Sequence, residues 1–91
     1  MKDPDHSALR DGADEELDTR GLRCPEPLLL LRNRMRTLAV GRRLYVVATD
    51  PASVRDFEQY SRFLGHPIES SEEEAGEFRF LFRKSEGRSR G

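Results

Sequence analysis

Cys24 is the only cysteine among the 91 residues, and a Pro-Glu-Pro sequence follows it directly. Proline at position 25 disfavours helical backbone angles at the residue before it, so we expect Cys24 to be the N-cap of a helix that Pro25 opens. A thiol in that place lies near free backbone N–H groups and the positive end of the helix dipole. Because Pro25 and Pro27 have no N–H, the N–H of Glu26 is the expected donor to a sulfur anion. These features predict an exposed, nucleophilic thiol with a moderately lowered pKa.

Other cysteine chemistries need partners that this sequence does not place beside Cys24. A lone cysteine is often a small buried apolar residue, but two arginines, a glutamate and two prolines surround this one. Nucleophilic hydrolysis needs a histidine base, and the two histidines, His6 and His66, are both expected at the surface. One cysteine and two scattered histidines have no recognisable ligand spacing, so we expect no metal and no other cofactor. A second cysteine for a redox pair is absent, which leaves a thiol suited to sulfur exchange with a partner.

The elements that must position the thiol follow from apolar periodicity. The pattern predicts a strand at 17–19, a helix from Pro25 to about Gly41, a strand at 44–49, a helix from Pro51 to Gly65 with Asp50 as N-cap, a strand at 66–71, a polar turn at 72–76 and a strand at 77–84. This βαβαββ order indicates an α/β (α+β) two-layer sandwich, in which two helices pack on one face of a mixed four-stranded sheet. The other face of the sheet is expected to be partly open.

Composition limits the organisation of the chain to one small domain. We expect a disordered acidic tail at 1–14, a folded domain at 15–84 and a disordered basic tail at 85–91. No apolar run approaches the length of a membrane span, and the N-terminus does not look like a signal peptide. The expected location is therefore the cytoplasm, without membrane contact.

The stretch from Leu17 to Pro27 strongly resembles the signature of the TusA (SirA-like) sulfur-carrier family. Its centre is Cys-Pro-x-Pro, preceded by Gly-Leu and a nearby aspartate. The resemblance continues through Gly41, the Asp50-Pro51 helix start with Arg55-Asp56, the stretch 63–66 and the final strand ending at Arg83-Lys84. It covers nearly all of the predicted domain.

The resemblance implies a sulfurtransferase-type carrier whose cysteine takes sulfane sulfur as a persulfide and passes it on. Cys24 would be the persulfide site, shaped by neighbouring motif residues, namely Gly21, Arg23, Pro25, Glu26 and Pro27. The implied donor is a cysteine desulfurase or a rhodanese-like protein. The implied acceptors are DsrE/TusD-like or other proteins, on the route to 2-thiouridine in tRNA, to sulfur oxidation or to molybdenum-cofactor maturation. The residues identify neither a substrate pocket nor a second catalytic group.

Charge is unevenly distributed around the thiol. The chain has a net charge of −1, which argues against direct nucleic-acid binding, yet residues 20–43 carry seven basic side chains and one acidic one. Arg20, Arg32 and Arg36 are candidates for docking an acidic partner surface onto a monomer.

The alternative function is a non-catalytic interaction or regulatory module that uses the basic first helix and the open sheet face. Replacing Cys24 distinguishes the two, because only a sulfur relay depends on the thiol.

Overall fold

The computed structural model describes residues 8–86, so positions 1–7 of the predicted tail at 1–14 and positions 87–91 of the predicted tail at 85–91 lie outside the described residues. In chain order the elements are α1 (Ala8–Asp11), β1 (Glu15–Thr19), α2 (Glu26–Thr37), β2 (Arg43–Ala48), α3 (Pro51–Leu64), β3 (Ile68–Glu74) and β4 (Glu77–Arg83). From β1 onward this is the βαβαββ order that the sequence predicts. The short helix α1 was not foreseen, because its residues fall in the segment expected to be a disordered tail.

The four strands form one mixed sheet in the order β1-β2-β4-β3. β1 runs parallel to β2, with Leu17 opposite Val46, and β4 runs antiparallel to both β2 and β3. A parallel pair needs a long crossover, which α2 provides, whereas a tight turn suffices between β3 and β4. The carboxyl ends of β1 and β2 therefore meet at one edge of the sheet, where the loops leading into α2 and α3 leave it.

One face of the sheet carries the hydrophobic core beneath α2 and α3. Buried side chains from β1, β2, β4 and both helices form this core: Leu17, Leu31, Met35, Leu38, Leu44, Val46, Ala48, Phe57, Tyr60, Phe80 and Phe82. The Phe57 ring on α3 is fully buried and meets Phe80 and Phe82 edge-on, with ring centroids 5.2 and 6.0 Å apart. The two-layer arrangement with both predicted helices on one face is thus confirmed.

The opposite face of the sheet is less open than expected. Arg79 on β4 is only 6% exposed, and its guanidinium pairs with three carboxylates, those of Glu72, Glu74 and Glu77, at 3.1, 3.0 and 2.9 Å. Tyr45, Val47 and Leu81 are buried on the same face, and α1 lies against β4. Ion pairs and the short helix α1 therefore cover much of the sheet face that the sequence predicted to be partly open.

The β3–β4 hairpin differs from the sequence prediction in its length. β3 extends to Glu74, which lies opposite Glu77, so the turn consists of Ala75 and Gly76 alone. Both residues have positive φ, 52° and 82°, as a two-residue hairpin turn of the type I′ class requires. The acidic residues that were expected in a long turn therefore pair within the sheet, where two of them bind Arg79.

Acid should destabilise this fold by protonating carboxylates that hydrogen-bond to arginines. Three carboxyl groups have a pKa below the ordinary value: Asp18 through Arg20, Glu69 through Arg43 and Arg83, and Glu77 through Arg79 and Arg20. A group whose pKa is lower in the folded state stabilises the protein above its unfolded pKa, and that contribution disappears as the pH falls through the folded value. We expect the melting temperature to fall progressively below about pH 4.5 in thermal unfolding followed by circular dichroism.

Glu69→Gln is the matched variant, since it removes a carboxylate that Arg43 and Arg83 contact at 2.6 and 2.7 Å. Its melting temperature should lie below that of the wild type near neutral pH, and the two curves should converge in acid. A constant difference at every pH would contradict this explanation. The effect should be modest, because these side chains are solvent-accessible and salt screens exposed pairs.

Candidate thiol site

The candidate site lies at the sheet edge where β1 and β2 end. The loop after β1 is tied to the loop after β2 by side chains as well as by the sheet. Thr19 donates its hydroxyl to the carbonyl oxygen of Val47 at 2.7 Å, and the N–H of Gly21 donates to Thr49 Oγ1 at 2.9 Å. Gly21 has a φ of +82°, which glycine adopts without the strain that a side chain would cause. The loop that carries Cys24 is therefore fixed on its first side.

Asp50 fixes the same loop on its second side. Its Oδ1 accepts the N–H of Ala52 at 3.1 Å, which makes it the N-cap of α3, as the sequence predicts. Its Oδ2 accepts the backbone N–H of Cys24 at 2.6 Å. One carboxylate thus begins α3 and anchors the cysteine, and this second role was not foreseen.

The start of α2 corrects the prediction that Cys24 is its N-cap. Pro25 is the N-cap, with φ −97° and ψ 11°, and the first helical hydrogen bond runs from the N–H of Leu29 to the Pro25 oxygen. The peptide between Cys24 and Pro25 is cis. The N–H of Glu26 donates to the carbonyl oxygen of Arg23 at 2.8 Å, so it is already engaged in a turn. The prediction that the Glu26 N–H donates to the sulfur is therefore wrong, because this N–H donates to Arg23 and the helix begins one residue later than expected.

The Cys24 thiol is exposed and bonded to a carboxylate. Its Sγ lies 2.8 Å from Asp56 Oδ2, so the S–H donates to Asp56. This hydrogen bond raises the pKa of Cys24 above the ordinary thiol value, with smaller contributions from desolvation and from the charges of Asp56 and Asp50. The predicted lowering of the thiol pKa is therefore wrong, because it was derived from the helix dipole and the backbone N–H groups next to Cys24. The acidic groups that dominate come from a distant part of the chain.

The motif residues occupy distinct places around the thiol. Pro25, Glu26 and Arg23 are exposed, whereas Pro27 is buried under the first turn of α2. Glu26 lies in the first helical turn, where a negative charge is favourable.

The three arginines that were predicted to dock a partner differ in their surroundings. The Arg20 guanidinium lies 2.8 Å from Asp18 and 3.3 Å from Glu77, so carboxylates of its own chain occupy it. Arg32 and Arg36 are exposed on α2. Arg32 also lines a shallow groove of about 250 Å³ between α2 and α3, which Asp56 and Phe63 line too. Arg32 therefore lines the same groove as Asp56, the carboxylate that accepts the thiol hydrogen bond, whereas Arg20 is paired with Asp18 and Glu77.

Exposed apolar side chains lie on the same two helices. Leu29 on α2 is 47% exposed and Phe63 on α3 is 71% exposed, with Leu30 and Leu64 also accessible. Large apolar side chains accessible on both helices that border the groove are typical of a surface that contacts another protein.

His66 is not the surface residue that the sequence suggested. It is buried against Tyr60, and its Nδ1 lies 3.2 Å from the backbone nitrogen of Ser85, which donates to it. Burial and the charge of Lys84 lower its pKa. His66 follows the C-terminal end of α3, about 20 Å along the helix from the end near Cys24. His6 lies outside the described residues.

The described residues contain neither a membrane-spanning helix nor a cluster of metal ligands. No helix within residues 8–86 is long and apolar enough to cross a membrane. Nor do three or more His, Cys, Asp or Glu side chains cluster there as a metal ion would need.

Fold and site together define a class of protein: a two-layer α+β domain that offers one exposed thiol from a Cys-Pro-x-Pro loop. The family profile described as "Sulfurtransferase TusA" matches residues 15–84. The chain therefore belongs to the TusA family, as its resemblance to that family indicated.

Similar proteins support the same assignment. Sulfur carrier protein TusA of Allochromatium vinosum is 43% identical over 72 residues, which cover 79% of this chain and 95% of that protein. The protein of the same name from Pseudomonas aeruginosa is 46% identical over 71 residues, 78% of this chain and 90% of its own length. That of Pseudomonas putida is 45% identical over 71 residues, with 78% and 89% covered.

Proposed function

We propose that this protein is a sulfur carrier that takes sulfane sulfur as a persulfide on Cys24 and hands it to an acceptor protein. The observation that supports this most is the exposed thiol on a loop held at both sides by Thr49 and Asp50. Such a thiol is accessible to the cysteine of another protein, yet its backbone is fixed. The names of the similar proteins agree with this function.

A carrier of this kind needs no second cysteine. Persulfide sulfur moves by attack of one sulfur on another, and the departing thiolate is regenerated for the next cycle. Because Cys24 is the only cysteine, its persulfide cannot be lost to an internal disulfide. The absence of a resolving thiol therefore favours storage and transfer of sulfur over redox chemistry.

The expected partners are a sulfur donor of the cysteine desulfurase or rhodanese type and an acceptor of the DsrE/TusD type. Arg32 and Arg36 are available to acidic groups on such partners, whereas Arg20 is already engaged by Asp18 and Glu77. Leu29 and Phe63 add exposed apolar area on the same helices. Synthesis of 2-thiouridine in tRNA is the pathway we propose for the sulfur.

The test is to incubate the protein with a cysteine desulfurase and L-cysteine and to follow its intact mass. Wild type should gain the mass of one sulfur atom, and a thiol reductant should remove it. Cys24→Ser should gain nothing.

The matched control is Cys24→Ser combined with Ser71→Cys, which moves an exposed thiol to β3. This control should load far more slowly, because it lacks the site around the thiol. Sulfur on Cys24→Ser, or no sulfur on wild type, would overturn the proposal. The interaction module would then be favoured.

A further inference from the structure

Asp56 is the one charged side chain whose hydrogen bond to the Cys24 sulfur the structure records. It lies on α3, one residue before Phe57, whose fully buried ring holds that helix against the sheet. Oδ2 of Asp56 lies 2.8 Å from Sγ, which is within reach for direct proton transfer. Asp56 is half-buried and lines the groove between α2 and α3, so it stays accessible from the side where a partner would approach.

Asp50 is the other carboxylate near the thiol, but it binds backbone N–H groups and not the sulfur. Its two oxygens accept the backbone N–H groups of Ala52 and Cys24. These bonds hold the loop and the helix, and they leave the sulfur to Asp56. Arg32 is the basic side chain of α2 that lines the same groove as Asp56, whereas Arg23 on the loop and Glu26 in the first turn of α2 are exposed.

Sulfur exchange at a protonated thiol requires a place for the proton. Only a thiolate attacks sulfur effectively, and a departing thiolate is a better leaving group when its charge is neutralised. The groups that hold Cys24 in the protonated form are the carboxylates of Asp56 and Asp50. A resting thiol of this kind is protected from adventitious reaction but must lose its proton when a donor docks.

We propose that Asp56 is a catalytic residue of the carrier, which accepts the Cys24 thiol proton when sulfur is loaded and returns it when sulfur is released. This role rests on the proposed function, because it concerns the same sulfur exchange at the same thiol. It assigns a proton-transfer group to a site in which the sequence identified none.

Loading moves one sulfur atom to Cys24 and one proton to the donor. The S–H proton moves to Asp56 Oδ2, the Cys24 sulfur attacks the outer sulfur of the donor persulfide, and the bond between the two donor sulfurs breaks. The donor leaves as a thiolate and takes a proton, so one persulfide and one thiol become one thiol and one persulfide. The carboxyl group holds the proton only in transit, because the departing donor thiolate is far more basic than a carboxylate and takes the proton from it.

Release runs in the opposite direction. An acceptor thiolate attacks the outer sulfur on Cys24, and the bond from that sulfur to Sγ breaks. Asp56 takes the proton of the acceptor thiol as that thiol becomes the attacking thiolate, and then gives it to the departing Sγ. Transfer from a carboxylic acid to a thiolate is downhill, so the carboxyl group acts most strongly in this step. No oxidant or reductant is consumed.

Asp56→Asn distinguishes proton transfer from a simple charge effect, because the two predict opposite changes in release. The amide keeps the shape and one acceptor atom but cannot carry the proton. Loss of the carboxylate should lower the thiol pKa, so alkylation of Cys24 by iodoacetamide should reach its midpoint at a lower pH. A thiolate that forms more readily also leaves more readily, so a charge effect alone should speed the release of sulfur. Loss of the proton donor should instead slow it.

The experiment loads each protein with glutathione persulfide, removes the excess, adds glutathione and follows the intact mass. Asp56→Asn should release sulfur about tenfold more slowly than wild type, a modest factor because a thiolate leaves readily even without protonation. Glu58→Gln is the matched control: it removes a carboxylate from the same helix, two residues on and so pointing away from Asp56. Its alkylation and release should equal those of wild type.

Asp56→Ser, checked for folding by circular dichroism, provides a second variant that cannot carry the proton and should also release slowly. Release from both variants at the wild-type rate or faster would overturn the role of Asp56 while leaving the carrier function intact. Failure of wild type to take up sulfur from either glutathione persulfide or a desulfurase would instead overturn the carrier function itself.

Discussion

Replacing Phe57 with alanine is expected to lower the free energy of unfolding by about 3–5 kcal/mol. The side chain has no exposed surface and packs edge-on against Phe80 and Phe82, so its removal leaves a cavity between α3 and the sheet. Denaturant unfolding followed by circular dichroism measures the loss. For a domain of this size, a loss of that magnitude is a large fraction of the total stability.

Phe63→Ala is the matched control for this variant. Both changes shorten a phenylalanine on α3, but the Phe63 ring is 71% exposed, so its loss should alter the free energy of unfolding by no more than about 0.5 kcal/mol. Equal losses in the two variants would mean that α3 is not anchored through Phe57. Because α3 carries Asp56 and begins at Asp50, a loosened α3 should also impair sulfur loading in Phe57→Ala.

Asp50→Ala should destabilise the protein by about 2–3 kcal/mol, the second largest effect that we expect. About 1 kcal/mol comes from the lost N-cap of α3, because the N–H of Ala52 loses its acceptor. A further 1–2 kcal/mol, roughly, comes from the lost charged acceptor of the Cys24 N–H. The same denaturant unfolding measures the sum.

Asp50→Asn separates the two contributions. Asparagine is an equally good N-cap, but it has an acceptor oxygen in place of only one of the two carboxylate oxygens, which accept the N–H groups of Ala52 and Cys24 separately. The variant should keep α3 capped and lose only the bond to Cys24, so its loss should be about half of that in Asp50→Ala. Hydrogen exchange at the Cys24 amide should quicken in both variants. Unchanged exchange at that amide would show that Asp50 does not hold the loop.

The sequence was most informative where local chemistry determines structure. Asp50 followed by proline defines the start of α3, and Gly65, with a φ of +77°, defines its end. The alternation of phenylalanines in β4 predicts its buried face. These signals depend on neighbours within a few residues of each other, so they can be interpreted without knowledge of the tertiary fold.

The site was predicted less completely, because its chemistry depends on contacts between distant residues. Cys24 and Asp56 are 32 positions apart, and no local pattern indicates that they meet. The Arg55-Asp56 pair belongs to the family resemblance, which was the only signal that pointed to this position. The N-cap was misplaced by one residue because Pro25 was expected to be the first helical residue, whereas it is the N-cap and α2 begins at Glu26.

The place of β4 in the sheet has a consequence for how the protein is made. β4 is the last of the four described strands in sequence, yet it lies between β2 and β3. Ribosomes deliver the chain from its N-terminus, so β1 to α3 emerge before the strand that completes the sheet exists. Until residues 77–83 appear, Phe57 lacks both rings on which it packs, and the apolar edge of β2 is unpaired. The Cys24 thiol is therefore synthesised before residues 77–83, which complete the sheet that holds α3 in place.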